Sequence, residues 1–438
     1  MKILVIGSGA REHALVHALH RSPQKPQVYC YGSSLNPGIH RMVVHYACGD
    51  VTACETVVAK AREWGIELAI VGPEAPLEKG MADALWQAGI AVIGPKKAAA
   101  QIETSKQFAR DLMKKYGIAG LPAYCQFKSM QGIEAYLKTL GEGQYVIKAN
   151  GLMSGKGVKV AGEHVHTLTE ALRFCQHMFN EGQTLVIEEK LMGEEFSFMA
   201  FADGKTLVPM PLVQDHKRAF AGDTGPNTGG MGSYSAADHG LPFLTATDID
   251  AAWSINQAVY EALQDELQQP YIGFLYGSFM ATARGVSVIE FNARLGDPES
   301  LNVLSLLESD LVDHCIAMVQ GELNAADVRF APYATVCKYA VPQGYPDAPL
   351  KHFPIDCSLI QDAAHFYLGA VHQQGEQLLA TGSRTAAYVG IGATLAEAEK
   401  QAEAEIARLG GALYHRRDIG TQERIDARIA HMKRLRLS

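Results

Sequence analysis

The chain has 438 residues, 47% of them hydrophobic and 20% charged, an ordinary globular composition with length for about two to four domains. Thirty-nine Lys and Arg against 47 Asp and Glu leave a net charge of −8, which argues against a general nucleic-acid binder; any anionic substrate must be held by local groups. The opening MKILVIGSG suits a buried strand and not a secretory leader. No apolar run is long enough to span a membrane, and the eight cysteines include no C-x-x-C pair, so reduced thiols and a cytoplasmic location are expected.

In chain order, residues 3–6, 28–31, 68–71 and 90–93 read as short buried strands, with helical stretches at 12–20 and 75–87 between them. That alternation predicts a parallel α/β sheet. A helix is predicted over 96–116. From about 122 the texture becomes α+β: 145–148 and 157–160 form a hairpin around a glycine-rich tip, then comes a helix capped by Thr167 and Glu170 and a strand at 185–189. Strands follow within 197–213 and 271–293, and 298–320 reads as helical. The run 219–232, rich in Gly, Thr, Asn and Pro, is expected to be a long ordered loop. Beyond about 325 the segments shorten, with a capped helix from about 394 to 409. The fold class is therefore α/β and α+β, multidomain.

Gly7-x-Gly9 after the first strand permits close backbone approach to an anion at a helix start. The dinucleotide fingerprint fails, because Glu12 stands at its third glycine and no acid closes the second strand. The loop Gly151 to Gly157 also misses the Walker A pattern, having Asn150 and Gly157 where glycine and Ser or Thr are needed. It leaves backbone N–H groups, Lys156 and the preceding Lys148, which together suit a polyphosphate. Such a glycine-rich loop has few apolar anchors and is expected to be mobile until nucleotide binds. In Ile289-Glu290-Phe291-Asn292, alternation puts Glu290 and Asn292 on one strand face, two oxygen donors suited to magnesium. Arg294 adds a fork for phosphate or carboxylate, and Asp297 and Glu299 follow at a turn into a helix.

These pieces occur as GSGAREHAL at 7–15, VGPEAPL at 71–77, SKQFARD at 105–111, GLMSGKGV at 151–158 and VIEEKLMGEEFSF at 186–198. QDHKR at 214–218, DTGPNTGGMGSYS at 223–235, GFLYGSFM at 273–280, IEFNARLGDPES at 289–300 and HRRDIG at 415–420 complete the set. In this order they resemble the phosphoribosylamine–glycine ligases, or glycinamide ribonucleotide synthetases, of the ATP-grasp superfamily. The resemblance implies a Rossmann-like N-terminal domain (1–101), an ATP-grasp core (102–325) with a small mobile lobe at about 122–192, and a C-terminal α+β domain (326–438). It implies ligation of glycine to 5-phosphoribosylamine through glycyl phosphate, in purine biosynthesis. The alternative is an ATP-grasp ligase for another carboxylate and amine.

By the same resemblance Lys106, Lys148, Gly151, Ser154, Gly155, Lys156 and Gly157 contact ATP phosphates. Glu188, Glu189 and Leu191 line the adenine slot, Glu195 faces the ribose, and Glu290 and Asn292 hold Mg²⁺ or Mn²⁺. Gly9, Arg11, His13, Glu74, Pro226, Asn227, Thr228 and Gly229 surround the substrates, while Arg294, Asp297, Lys217 and Asp215 are the catalytic candidates. A monomer with small-molecule partners only is expected, with no nucleic acid and no membrane. Ala10, Asn150, Leu301 and Ser383 stand where the family commonly carries glycine, aspartate, glutamine and glycine.

Overall fold

The computed structural model describes residues 1–153 and 157–437, so the predicted phosphate contacts Ser154, Gly155 and Lys156 lie outside the described residues. The first sheet is parallel and five-stranded, with Lys2–Ile6 at its centre between Gln27–Gly32 and Leu68–Val71. Its outer strands are Ala91–Ile93 and His45–Cys48. The latter escapes sequence reading because, as a half-exposed edge strand, it has no apolar run.

Three predicted helices are each split. Residues 75–87 become Glu74–Glu78 and Met81–Gln87, broken at Gly80, whose φ of +85° suits glycine. Residues 96–116 become Lys97–Thr104 and Lys106–Lys115, because Ser105 turns extended and caps the second helix by accepting the Phe108 N–H at 3.1 Å. The break presents Lys106 at a helix start. Likewise 298–320 divides into Glu299–Leu306 and Leu311–Gln320, the second capped by Asp310.

The small lobe is a four-stranded antiparallel sheet ordered Tyr124–Phe127, Leu185–Glu189, Tyr145–Ala149, Val158–Val160. With the helices Ile133–Leu140 and Leu168–Asn180 it encloses its own apolar cluster, including Ile133, Leu137, Ile147, Cys175 and Ile187. The larger central sheet pairs Leu207–Pro209, Gly193–Asp203, Ile272–Thr282 and Gly285–Asn292. Its last pairing slips: Ser278 faces Glu290 while Phe279 faces Val288. Ile289 is thus the extra residue of a bulge, and the strict alternation expected of 289–292 is interrupted there.

The last large sheet draws strands from two parts of the chain. Ala334–Pro342 pairs with Ala386–Gly392 on one side and Gly232–Ser235 on the other, and Gln214–Asp215 pairs with Gly232–Ser235. Residues 219–232 are accordingly not a loop. They continue a two-stranded hairpin, Arg218–Phe220 against Thr224–Asn227, and then enter this sheet. The helix Gln422–Leu437 returns to the central sheet, where Arg428 and His431 meet the buried Glu194 at 2.8 and 2.5 Å. No helix among the described residues is long and apolar enough to cross a membrane, and the eight cysteines are unpaired.

Candidate active site

The strand Gly285–Asn292 runs beneath the small lobe and carries Glu290 and Asn292 at its end. The Ile289 bulge turns its carbonyl to use: it accepts from Lys148 Nζ at 3.0 Å and from Arg110 Nη2 at 2.7 Å. Lys148 and Arg110 both pair with Glu188, at 2.6 Å each. Burial pushes the Glu188 carboxyl up, but Arg110 and Lys148 outweigh it and bring it down to about 2. Glu188 was expected to line an adenine slot. Its carboxylate holds the lobe lysine and a helix arginine. Glu189 accepts from the Ala123 N–H and Arg284, both at 2.9 Å, and Leu191 lies half-buried in the connection that follows.

Lys106 reaches across from its helix start to the Gly151 carbonyl at 3.0 Å, at the foot of the glycine-rich loop. Gly157, where the loop re-enters the sheet, accepts from the Ala149 N–H at 2.7 Å. Asn150 Oδ1 accepts from the Gln107 N–H at 3.1 Å, so the departure from aspartate retains an acceptor for this helix. Burial lowers the Lys106 ammonium, Glu290 opposes that, and Lys148 adds to it. Loss of solvent raises the half-buried Glu290 carboxyl, yet Lys217, Lys106, Lys148 and Arg294 together hold it below the usual range. It is therefore an ionised oxygen donor among four cations. Among the described residues no group of three or more His, Cys, Asp or Glu could hold a metal ion. Glu290 and Asn292 offer two oxygens, which fits a cation that also takes oxygens from phosphates and water.

On the other side of Asn292, Arg294 lies 2.9 Å from Glu103, 3.4 Å from Glu74 and 3.3 Å from Asn292 Oδ1. Arg11 donates to Glu12 at 2.6 Å and to the Leu295 carbonyl at 3.1 Å, and the other Glu12 oxygen accepts the Gly9 N–H at 2.7 Å. Gly9, Arg11, Glu74 and Arg294 are thereby linked across the first sheet and the 293–298 turn. His13 faces elsewhere: Nδ1 accepts the Leu368 N–H at 3.0 Å and the ring meets Tyr367 edge-on. Burial first, then His17, hold its imidazole down to about 3, so it is neutral.

Lys217 completes the cluster. It pairs with Glu195 at 2.8 Å, and its backbone carbonyl accepts from the Thr228 N–H and hydroxyl at 2.7 and 2.9 Å. Burial lowers the Lys217 ammonium, but Glu195, Asp215 and Glu290 reverse this and raise it well above the ordinary value. Burial drives Asp215 up to about 7, opposed by Lys217 and reinforced by Glu299. Pro226 and Asn227 sit on the exposed hairpin strand Thr224–Asn227. Asp297, expected to be catalytic, has both oxygens occupied, by the Tyr339 hydroxyl at 2.6 Å and Arg384 at 3.0 Å. Leu301 is fully buried in an apolar cluster, so the departure from glutamine packs a core.

Sequence reading passed over Arg110, Glu103 and Arg384, and gave Glu12 and Glu299 no role of their own. Glu12 carried a usable signal, a carboxylate three residues after a helix-opening glycine, able to cap that helix itself. Arg384 carried none, because its partners lie on distant segments.

Three family models together match most of the chain: the N domain of phosphoribosylglycinamide synthetase at residues 1–103, its ATP-grasp (A) domain at 104–300 and its C domain at 335–422. The phosphoribosylamine–glycine ligase of Methanosarcina barkeri is 47% identical over 436 residues, covering all of both chains. That of Methanocorpusculum labreanum is 49% identical over the same length and coverage. The crystal structure of phosphoribosylamine–glycine ligase from Thermotoga maritima superposes with a TM-score of 0.78 at 26% identity, covering 95% of this chain and all of the other. A biotin carboxylase from Campylobacter jejuni shares the fold at 13% identity and a TM-score of 0.71, over 99% of this chain and 95% of its own.

Proposed function

Because the chain belongs to the phosphoribosylglycinamide synthetase family, we propose that it joins glycine to 5-phosphoribosylamine at the expense of ATP, giving glycinamide ribonucleotide, ADP and phosphate. The observation that carries this reading is full-length similarity to ligases of that activity, in a chain that gathers Lys106, Lys148, Lys217 and Arg294 around Glu290. The chemistry accounts for the cluster. A glycine carboxylate is a poor electrophile, so its oxygen attacks the γ-phosphorus and the bond to ADP breaks. The amine nitrogen then attacks the acyl carbon, phosphate departs and a proton is lost. Both steps depend on positioning and charge neutralisation more than on a strong base.

Lys106, Lys148 and the loop from Gly151 to Gly157 take the triphosphate, with Glu189, Leu191 and Glu195 toward the nucleoside. Glu290 and Asn292 would hold Mg²⁺ or Mn²⁺, which when bound would neutralise phosphate oxygens; an ionised carboxylate beside an amide oxygen suits either. Arg294 and Lys217 draw negative substrate groups together, Asp215 receives the amine proton, and Gly9, Arg11, Glu74 and the 226–229 segment flank the phosphoribosylamine. We place the enzyme in the cytoplasm as a monomer, and divide it into domains at 1–101, 102–325 and 326–438. Phosphate release is the test: it should require ATP, glycine and phosphoribosylamine together, and release with another amino acid at equal rate would redirect the reading to a different ligase. The two-step route is checked separately. With ATP and glycine alone, hydroxylamine should trap a hydroxamate, and no trapping under conditions of normal turnover would rule out a free acyl phosphate.

A further inference from the structure

Two segments meet at the substrate side of the cluster. One is the turn 293–298, which carries Arg294 and Asp297. The other is 228–230, whose Thr228 is bonded to the Lys217 carbonyl. They come from separate parts of the chain, and one guanidinium joins them. Arg384 Nη1 donates to the Asp297 carbonyl at 2.8 Å, the Gly229 carbonyl at 2.8 Å and the Gly230 carbonyl at 3.3 Å. Nη2 donates to Asp297 Oδ2 at 3.0 Å. The guanidinium carbon lies 4.7 Å from the centre of the Tyr339 ring, and the hydroxyl of that ring donates to the other Asp297 oxygen at 2.6 Å.

The paired glycines are explained by this closeness. A Cβ on Gly229 would stand 3.1 Å from the Arg384 guanidinium carbon. One on Gly230, at φ +113°, would stand 2.6 Å from Pro298 Cδ. The two segments are thus drawn tightly together with Arg384 among them. Since both Asp297 oxygens are taken, what Asp297 contributes is registration of the turn and not a free base.

The geometry points to Arg384 as a positioning residue of the proposed ligase: a fork from the C-terminal part of the chain that sets the distance between the Arg294 turn and the Lys217 strand end. It contacts no ATP-binding residue named above. Its loss therefore separates acyl transfer from nucleotide binding. Lysine keeps the charge but cannot reach three carbonyls and a carboxylate at once.

The inference rests on the ligase reading, and the experiment keeps the two apart by assaying the wild-type chain beside Arg384→Lys with ATP, magnesium, glycine and phosphoribosylamine. An inactive wild type fails the ligase reading. Given an active wild type, Arg384→Lys should lower kcat by about 100-fold, the effect of a misplacement near 1 Å, with KM for ATP held within about twofold. A kcat within about threefold of wild type, or a loss matched by an equal rise in KM for ATP, overturns the inference. Should Arg384→Lys not fold, Tyr339→Phe removes only the hydroxyl that holds Asp297 from the opposite side. It should lower kcat about tenfold with the same split, and an unchanged kcat there overturns the inference equally.

Discussion

Replacing Glu188 by Gln should destabilise the protein strongly at neutral pH and hardly at all in strong acid. The side chains of Glu188, Arg110 and Lys148 are 4%, 3% and 8% exposed, so solvent screens them little. The Glu188 carboxyl falls from 4.5 to about 2 in the folded protein. At about 1.4 kcal/mol per unit, that difference contributes about 3 kcal/mol. An independent route gives the same scale: removing one partner of a buried pair costs about 3–5 kcal/mol, because the remaining cations are left without a counter-charge. Since the folded value lies below the unfolded one, the contribution is complete above pH 4.5 and gone once the pH drops below about 2. Near pH 3 about 1 kcal/mol should remain. Urea unfolding of both proteins, followed by circular dichroism from pH 7 to pH 3, measures the difference, with other titrating groups cancelling between them. A gap below about 1 kcal/mol at pH 7, or one that stays constant down to pH 3, would refute the reasoning.

Glu290→Ala should cut turnover by at least about 100-fold in a protein that still folds, because it removes the ionised oxygen at the centre of the cation cluster; full activity at saturating magnesium would remove Glu290 from the metal site. His13 is buried neutral, with its imidazole lowered from 6.5 to about 3 by burial. The unfolded chain takes up that proton first, so the wild type should lose about 2 kcal/mol between pH 7 and pH 5. His13→Gln, which keeps an acceptor for the Leu368 N–H, should flatten this dependence, as denaturation midpoints at the two pH values will show.

How far the sequence disclosed this site depended on how local each signal was. Glu290 and Asn292 were singled out from strand alternation, Lys148 from the strand leading into the glycine-rich loop, and Lys106 from the family strings. The Ile289 bulge was not, because a register slip is a property of two strands and only one was being read. The break at Ser105 could have been anticipated: it is a serine three residues before Phe108, which is an N-cap pattern, but the apolar periodicity runs through it. The 219–232 run misled because glycine and threonine fit a loop and a hairpin equally; what settles it is pairing of Arg218 with Asn227. His13 and Glu188 were identified as site residues, yet their partners, Leu368 and Arg110, lie far away in sequence, and no local pattern says where such a side chain turns. Arg384 is the limiting case, since everything that gives it meaning comes from elsewhere in the chain.

The shared sheet has a consequence for assembly during synthesis. Gly232–Ser235, joined to the Lys217 segment, pairs with the preceding Gln214–Asp215 but finds its second partner only when Ala334–Pro342 has been made, and that strand in turn pairs with Ala386–Gly392. Until then the edge of Gly232–Ser235 opposite Gln214–Asp215 is unpaired, beside Tyr234, which is 1% exposed in the finished fold. A nascent chain ending between these strands contains the lysines and acids of the nucleotide side, and Lys217 with its partners Glu195 and Thr228, but leaves one edge of Gly232–Ser235 bare. Such a ribosome-bound fragment is an aggregation hazard before it is an enzyme, and the ligase becomes competent late, when the third of these strands emerges.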